Sequence, residues 1–418
     1  MTLADLSRSG FFALYVGWLT TFPMAGPLLG ETHLLTWFLL PHVVVLLGSA
    51  VFAGAASFRA LIPAAVALSA FGTLAYAWWD GEESRYILLL IGVASAPVSI
   101  YMGMLLKGTL RPVVTATLGL VAGNLVAVSF VALPLSDDVK LVILALMLFV
   151  FTVGPAPQEV SMKGPVHGLF TYLPFIFFFQ VLSGLMYSVL YPAYAEQGTF
   201  AGIELSLYMA GALAGLGLIR RRSDFGLLAG VVIAILGLAA WQLLPPPLGF
   251  TVGIFALLFA AGIIDVFLLA HVLSFKNQLK AYGYGVGVLC AGIVAGNWLA
   301  QAFPGVGEAV AFFGLVLLNV AVIALYLARP QRPVPGLSMK DDRLGTSLPE
   351  ALADRCSEQE RLVLAQVLQG RTYREVATAL AISESSVKTY MQRIYRKMGV
   401  VRQSQLLKLI RGDKVGPG

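Results

Sequence analysis

Between residues 10 and 328 the chain runs through twelve apolar stretches of about 18 or more residues, and none follows. Each can cross a hydrocarbon core of about 30 Å. No water inside such a core can satisfy a bare backbone N–H or C=O, so an apolar run of this length must fold as a helix that closes its own hydrogen bonds. The stretches lie at about 10–30, 34–55, 60–79, 84–106, 112–133, 139–156, 166–192, 200–219, 224–244, 248–274, 283–301 and 309–328. The first is as long as a full span and lacks a small-residue cleavage site, so it is expected to be retained. A charged fraction of 12% and a mean hydropathy of +0.83 exclude an ordinary soluble domain. The expected architecture is all-α, beginning with a polytopic membrane helical bundle.

Loop charges set an orientation, because Lys and Arg in short loops mark the cytoplasmic side. With an inside N-terminus, the inner loops and span ends hold Arg8, Arg59, Lys107, Arg111, Lys163, Arg220, Arg221, Arg222, Lys276 and Lys280. The outer ones hold only Arg85 and Lys140, with Asp80, Glu82 and Glu83 among several acids. Both termini are therefore expected on the cytoplasmic side, with lipid around the bundle. Cys290 falls inside a span and Cys356 beyond the last one, which leaves no pair for a disulfide.

Beyond residue 328 the chain changes character. Residues 329–349 hold Pro330, Pro333, Pro335 and Gly336 without apolar periodicity, as expected of a flexible linker. From residue 332 onward 15 Lys and Arg face 9 Asp and Glu, which accounts for the whole net charge of +6. Between Ser385 and Gly412 stand seven basic residues and no acidic one, a pattern suited to phosphates.

Caps and periodicity divide this tail into four short helices. Ser357 with Glu360, and Thr372 with Glu375, have the spacing of capping boxes that open the first two. Gly370 stops the first, and Ser383 caps the third, whose Val387, Met391, Ile394, Tyr395 and Met398 share an inner face up to Gly399. A fourth is expected over residues 405–411. A short helix, a tight turn and a longer basic helix make a helix-turn-helix, in which the second helix enters the major groove of double-stranded DNA.

The stretch VLAQVLQGRTYREVATALAISESSVKTYMQRIYRKMGV resembles the C-terminal DNA-binding domain of the LuxR family, over about residues 350–412 with a short tail at 413–418. Cys356, Leu362 and Tyr390 depart from the usual residues of that family. The resemblance implies a four-helix LuxR-type fold, a homodimer on promoter DNA, and base contacts from Lys388, Thr389 and Gln392. The chemistry fits: Lys donates to guanine, Gln pairs with adenine, and a Thr methyl meets thymine. Ser385, Ser386, Arg393, Arg396 and Lys397 are expected on phosphates, where they position the helix without reading sequence.

Twelve spans with both ends inside resemble the major facilitator architecture of two six-helix halves. Residues 1–328 are read as a twelve-span sensor of a small-molecule ligand. Polar residues within spans mark packing bonds or a cavity, and the candidate pocket residues are Asp265, Glu204, Gln180, Asn297 and Asn124, which lean toward the second half. No metal-ligand cluster, phosphate loop or Ser, His and Asp set is visible, so no catalytic residue, metal or cofactor is expected and the chain reads as no enzyme. Two readings remain: a membrane-embedded one-component transcriptional regulator, and a facilitator-like transporter with a regulatory DNA-binding tail.

Overall fold

A computed structural model of the chain describes residues 3–24, 26–52, 55–79, 81–153, 164–196, 202–221, 223–245, 247–303, 306–328, 356–368, 371–380, 382–400 and 405–406. The chain divides into two compact units, residues 1–330 and 331–418. The stretch expected as a linker, Gly370 and the tail at 413–418 lie outside the described residues, as do Asp80, Lys163 and Arg222.

The first unit is built from helices α1 (Leu3–Thr21), α2 (Leu35–Phe52), α3 (Ala55–Tyr76), α4 (Ser84–Lys107), α5 (Pro112–Ala132) and α6 (Asp137–Phe149), then from α7 (His167–Phe170), α8 (Leu173–Leu185) and α9 (Tyr191–Glu196). It continues with α10 (Ile203–Arg221), α11 (Ser223–Leu243), α12 (Leu248–Ser274), α13 (Gln278–Ala302) and α14 (Val306–Ala328). A π-helical turn, Met186–Leu190, joins α8 to α9, so these act as one segment. Among the described residues 8 helical stretches are long and apolar enough to cross a bilayer, with Ala60–Tyr76 and Phe312–Leu325 apolar but shorter. Two further expected stretches fall short for visible reasons. Helix α6 has 13 residues and opens on Asp137 and Asp138, and α1 begins with the charged Asp5 and Arg8. These two side chains are satisfied locally: Asp5 accepts from the Leu110 N–H at 3.2 Å and Arg8 donates to the Gly108 carbonyl.

Helix pairing repeats between α1–α6 and the six segments that start at α8. In each half the first segment packs on the fifth (α1 on α5, α8 on α13) and the second on the fourth (α2 on α4, α10 on α12). The third packs on the fourth and the sixth (α3 on α4 and α6, α11 on α12 and α14). Across the halves the second of each meets the fifth of the other, α2 on α13 and α10 on α5. Two six-helix halves related by an approximate two-fold rotation give this pattern.

Lipid offers no hydrophobic drive for helices to associate, so close backbone approach must supply the contact. Helices α8 and α13 cross at Gly184 and Gly296, where a Cβ would stand 2.2 Å from the Ile293 carbonyl oxygen and 2.1 Å from that of Val181. Helices α10 and α12 cross in the same manner at Gly211 and Gly262.

The second unit holds α15 (Glu358–Leu368), α16 (Tyr373–Leu380) and α17 (Glu384–Met398) around a core that includes Val363, Leu364, Val376, Val387 and Ile394. Both capping boxes form. The Ser357 N–H donates to Glu360 and the Thr372 N–H to Glu375, each at 2.8 Å. Ser383 accepts from the Ser386 N–H at 3.0 Å as the N-cap of α17. Gly399 ends α17 at φ +67°, which lets the Val400 N–H reach the Tyr395 carbonyl at 3.0 Å, the closing bond of a Schellman motif. Of the expected fourth helix, Gln405 and Leu406 are helical and the rest lies outside the described residues.

Candidate functional site

Within the first unit a cavity of about 430 Å³ opens between the halves. Its wall is mostly apolar, and its polar groups come from both halves, among them Tyr15, His42, Ser99 and Asn124 on one side and Tyr187, Tyr208, Asp265 and Tyr282 on the other. The lean toward the second half therefore does not hold for the wall as a whole.

Asp265 belongs to the wall and is half-buried. Its Oδ2 accepts from the Tyr208 hydroxyl at 2.7 Å and its Oδ1 from the Gln180 amide at 3.1 Å. Gln180 thus stands behind the carboxylate and holds it, while remaining off the wall itself. Asn124 lies on the wall, with its amide donating to the Leu120 carbonyl at 2.9 Å one turn back. Glu204 is also set back, accepting from the Tyr191 hydroxyl and from the Gly202 N–H at 3.0 Å.

Asn297 goes elsewhere. Its Oδ1 accepts from the Thr36 hydroxyl at 2.8 Å, and its amide donates to the Thr32 carbonyl at 3.3 Å and to Ser188 at 2.6 Å. The two threonine bonds tie α13 of one half to the start of α2 in the other. The α4 and α12 ends carry a second tie, in which the Lys107 ammonium donates to the Leu273 carbonyl at 2.6 Å.

Opposite Asp265 runs a hydrogen-bonded chain that sequence reasoning did not assemble. The Tyr15 hydroxyl lies 2.5 Å from Ser99 Oγ, which lies 3.3 Å from His42 Nε2. His42 Nδ1 is 3.2 Å from the Gly92 carbonyl and 2.9 Å from Ser95 Oγ. A carbonyl only accepts, so Nδ1 carries a proton in its bond to Gly92. The sequence did hold a signal: Gly92, Ser95 and Ser99 are spaced to share one face of α4, which His42 can meet from α2. Tyr187 carried none; it lies in the π turn and lines the wall.

In the second unit the outward face of α17 presents Ser385, Lys388, Thr389, Gln392, Arg393, Arg396 and Lys397, all exposed, with Ser386 half-buried. Thr389 Oγ1 donates back to the Ser385 carbonyl at 2.9 Å. Lys388 pairs with Glu384 at 3.1 Å, both substantially exposed, a bond worth only about 0.3–0.5 kcal/mol and readily exchanged for a base edge. Ser386 Oγ is 2.8 Å from Ser383 Oγ, at the helix N-terminus where backbone N–H groups and the helix dipole favour an anion. Lys397 differs from the other basic residues, because its ammonium bonds the nearly buried Glu360 at 2.6 Å and joins α17 to α15. Burial alone would raise the Glu360 carboxyl, yet Lys397 and Ser357 outweigh it and hold the group below its ordinary value. Burial raises the Cys356 thiol, with Glu360 adding to the effect, so this cysteine is a poor nucleophile. Among the described residues no group of three or more His, Cys, Asp and Glu stands close enough to hold a metal ion.

Residues 354–410 match the protein family GerE, described as bacterial regulatory proteins of the luxR family. The C-terminal unit is thus a LuxR-type helix-turn-helix domain, and transcription regulation and DNA binding follow from it. The first unit has the fold of a major facilitator. It is similar to a variant of the Escherichia coli fucose:proton symporter FucP, with a TM-score of 0.55 and 14% identity over 78% of this chain and 98% of that one. FucP in the outward conformation gives a TM-score of 0.57 and 13% identity over 79% and 99%. No curated protein matches the chain in sequence.

Proposed function

We propose that the chain is a membrane-embedded one-component transcriptional regulator, in which a small molecule held in the cavity alters how the C-terminal domain engages promoter DNA. The observation that carries this reading is a cavity walled by both halves of a facilitator fold, in a chain that also holds a DNA-reading domain. A ligand can shift the chain only through unequal affinity for two conformations. A wall shared by two halves meets that requirement, because movement of one half against the other changes the site. Asp265 and Asn124 contact the ligand in this account, Gln180 and Glu204 hold wall groups in place, and Asn297 fastens one half to the other.

On DNA, Lys388, Thr389 and Gln392 read bases, while Ser385, Ser386, Arg393 and Arg396 hold phosphates. Lys397 contributes charge from its place beside Glu360. A module this small binds weakly alone, which favours a homodimer on two half-sites. Both termini lie in the cytoplasm of a bacterial inner membrane, a reading supported by the basic residues gathered on one set of loops. The linker of about 20 residues reaches roughly 25 Å on average, so the promoter comes to the membrane.

A second reading, a transporter with a regulatory tail, is favoured by the cavity carboxylate Asp265. Among the described residues the first half places no carboxylate on the wall, which leaves a coupled ion relay incomplete. One experiment separates the two: a reporter promoter and a labelled ligand followed in the same cells. Ligand-dependent transcription without accumulation or efflux supports the regulator, and flux that survives deletion of residues 345–418 supports the transporter.

A further inference from the structure

The cavity has a chemical preference of its own. Among the described residues Asp265 is the one carboxylate on its wall, and no Lys or Arg lines it. The two groups that bond Asp265, Tyr208 and Gln180, are neutral donors. They use two of the roughly four lone-pair positions that a carboxylate offers and cancel none of its charge. A second carboxyl group lies just behind the wall: Glu204 is 1% exposed, and its Oε2 has no partner among the described residues. Glu204 reaches the cavity through Tyr191, whose hydroxyl it accepts. A charged carboxylate on a mostly apolar wall is favoured by a cation that meets it.

The rest of the wall suits the body of such a cation. Tyr187, Tyr191, Tyr208 and Tyr282 line it from the second half, with Phe12 and Phe38 across from them. Aromatic faces attract a desolvated positive charge, most strongly where water is excluded. The volume of about 430 Å³ falls in the range of pockets that hold drug-sized molecules, about 300–1,000 Å³. A sugar-like ligand would need many polar partners, whereas the chain of Tyr15, Ser99 and His42 largely satisfies itself.

We infer that the cavity takes a monovalent lipophilic organic cation, with its charge toward Asp265 and its apolar body among the aromatic rings. This rests on the cavity being the ligand site of the proposed regulator. The test uses full-length protein purified in detergent and two labelled probes of nearly the same shape and opposite charge, tetraphenylphosphonium and tetraphenylborate, in equilibrium dialysis. Saturable binding of the cation with little or none of the anion is expected. Asp265→Asn should weaken cation binding by about tenfold or more. Equal binding of both probes, binding of neither, or a folded Asp265→Asn protein that keeps its affinity for the cation overturns the inference. If that variant does not yield monodisperse protein, the preference of the unaltered chain between the two probes decides alone. The assay needs no promoter. Cation binding with no effect on transcription would remove the regulator reading and leave this inference standing, and a transcriptional response to a neutral ligand without cation binding would do the reverse.

Discussion

Replacing Glu360 with Ala in the DNA-binding domain removes two bonds at once. The carboxylate accepts the Ser357 N–H at 2.8 Å, closing the capping box of α15, and the Lys397 ammonium at 2.6 Å, joining α17 to it. Loss of that capping-box hydrogen bond costs about 1 kcal/mol. The Lys397 side chain is 43% exposed, so its bond is discounted toward the surface value, about 0.5 kcal/mol. The sum of about 1.5 kcal/mol corresponds to a fall in Tm of roughly 6–12 °C for a domain of this size. The assay is thermal unfolding of a fragment spanning residues 345–418, which carries its own core, followed by circular dichroism. The effect should also depend on pH with a definite sign. The folded Glu360 carboxyl lies below its ordinary value of 4.5, so its charge-dependent contribution is complete above about 4.5 and fades as pH falls through the folded value. The gap in Tm between the two proteins should be constant near neutrality and narrow in acid. A gap below about 2 °C, or one that stays the same down to about pH 3, would refute the reasoning.

The DNA-reading face makes a separable prediction: Lys388→Ala and Gln392→Ala should each cost about 1–3 kcal/mol on the preferred site and flatten sequence preference, while Arg396→Ala weakens binding to all sequences alike. Quantitative gel shifts on specific and random DNA distinguish the classes, and equal losses from all three variants would remove the assignment. In the membrane unit, Gly262→Leu puts a side chain where a Cβ already stands 2.2 Å from the Tyr208 carbonyl oxygen, so the purified protein should melt several degrees lower, consistent with overpacking of about 1–3 kcal/mol or more. Gly48→Leu, with nothing within 4 Å, should melt as the unaltered chain does. For orientation, a cysteine placed at residue 82 should react with an impermeant reagent in intact cells, and one at residue 221 should not; the opposite result would put the DNA-binding domain outside.

How much of this was legible in the sequence depends on the physics behind each feature. Helix class was readable because a bilayer core permits little else to an apolar run, whereas the two-half plan came from the resemblance to major facilitators. The α15 and α16 caps, Ser383 and Gly399 were readable because a cap is a local bond between residues three or four apart. Asp265 and Asn124 stood out as polar residues in apolar surroundings, and both line the cavity. Asn297 stood out equally and serves elsewhere, because a helical pattern does not say which neighbour a face will meet. The bond from Lys397 to Glu360 spans 37 positions and was invisible to local reasoning, so a residue expected on phosphate joins two helices. Tyrosines count as apolar in a span, which hid Tyr187 and Tyr208 until the helices were assembled.

The account stands on coupling between cavity and promoter, and coupling is reciprocal: the factor by which a cavity ligand changes promoter affinity must equal the factor by which promoter changes ligand affinity. Both can be measured on full-length protein in lipid nanodiscs, by titrating labelled promoter with and without saturating ligand and then the ligand with and without promoter. The account predicts equal factors of roughly 5 to 150, abolished when the linker is cut. Promoter affinity unchanged at saturating ligand would contradict it.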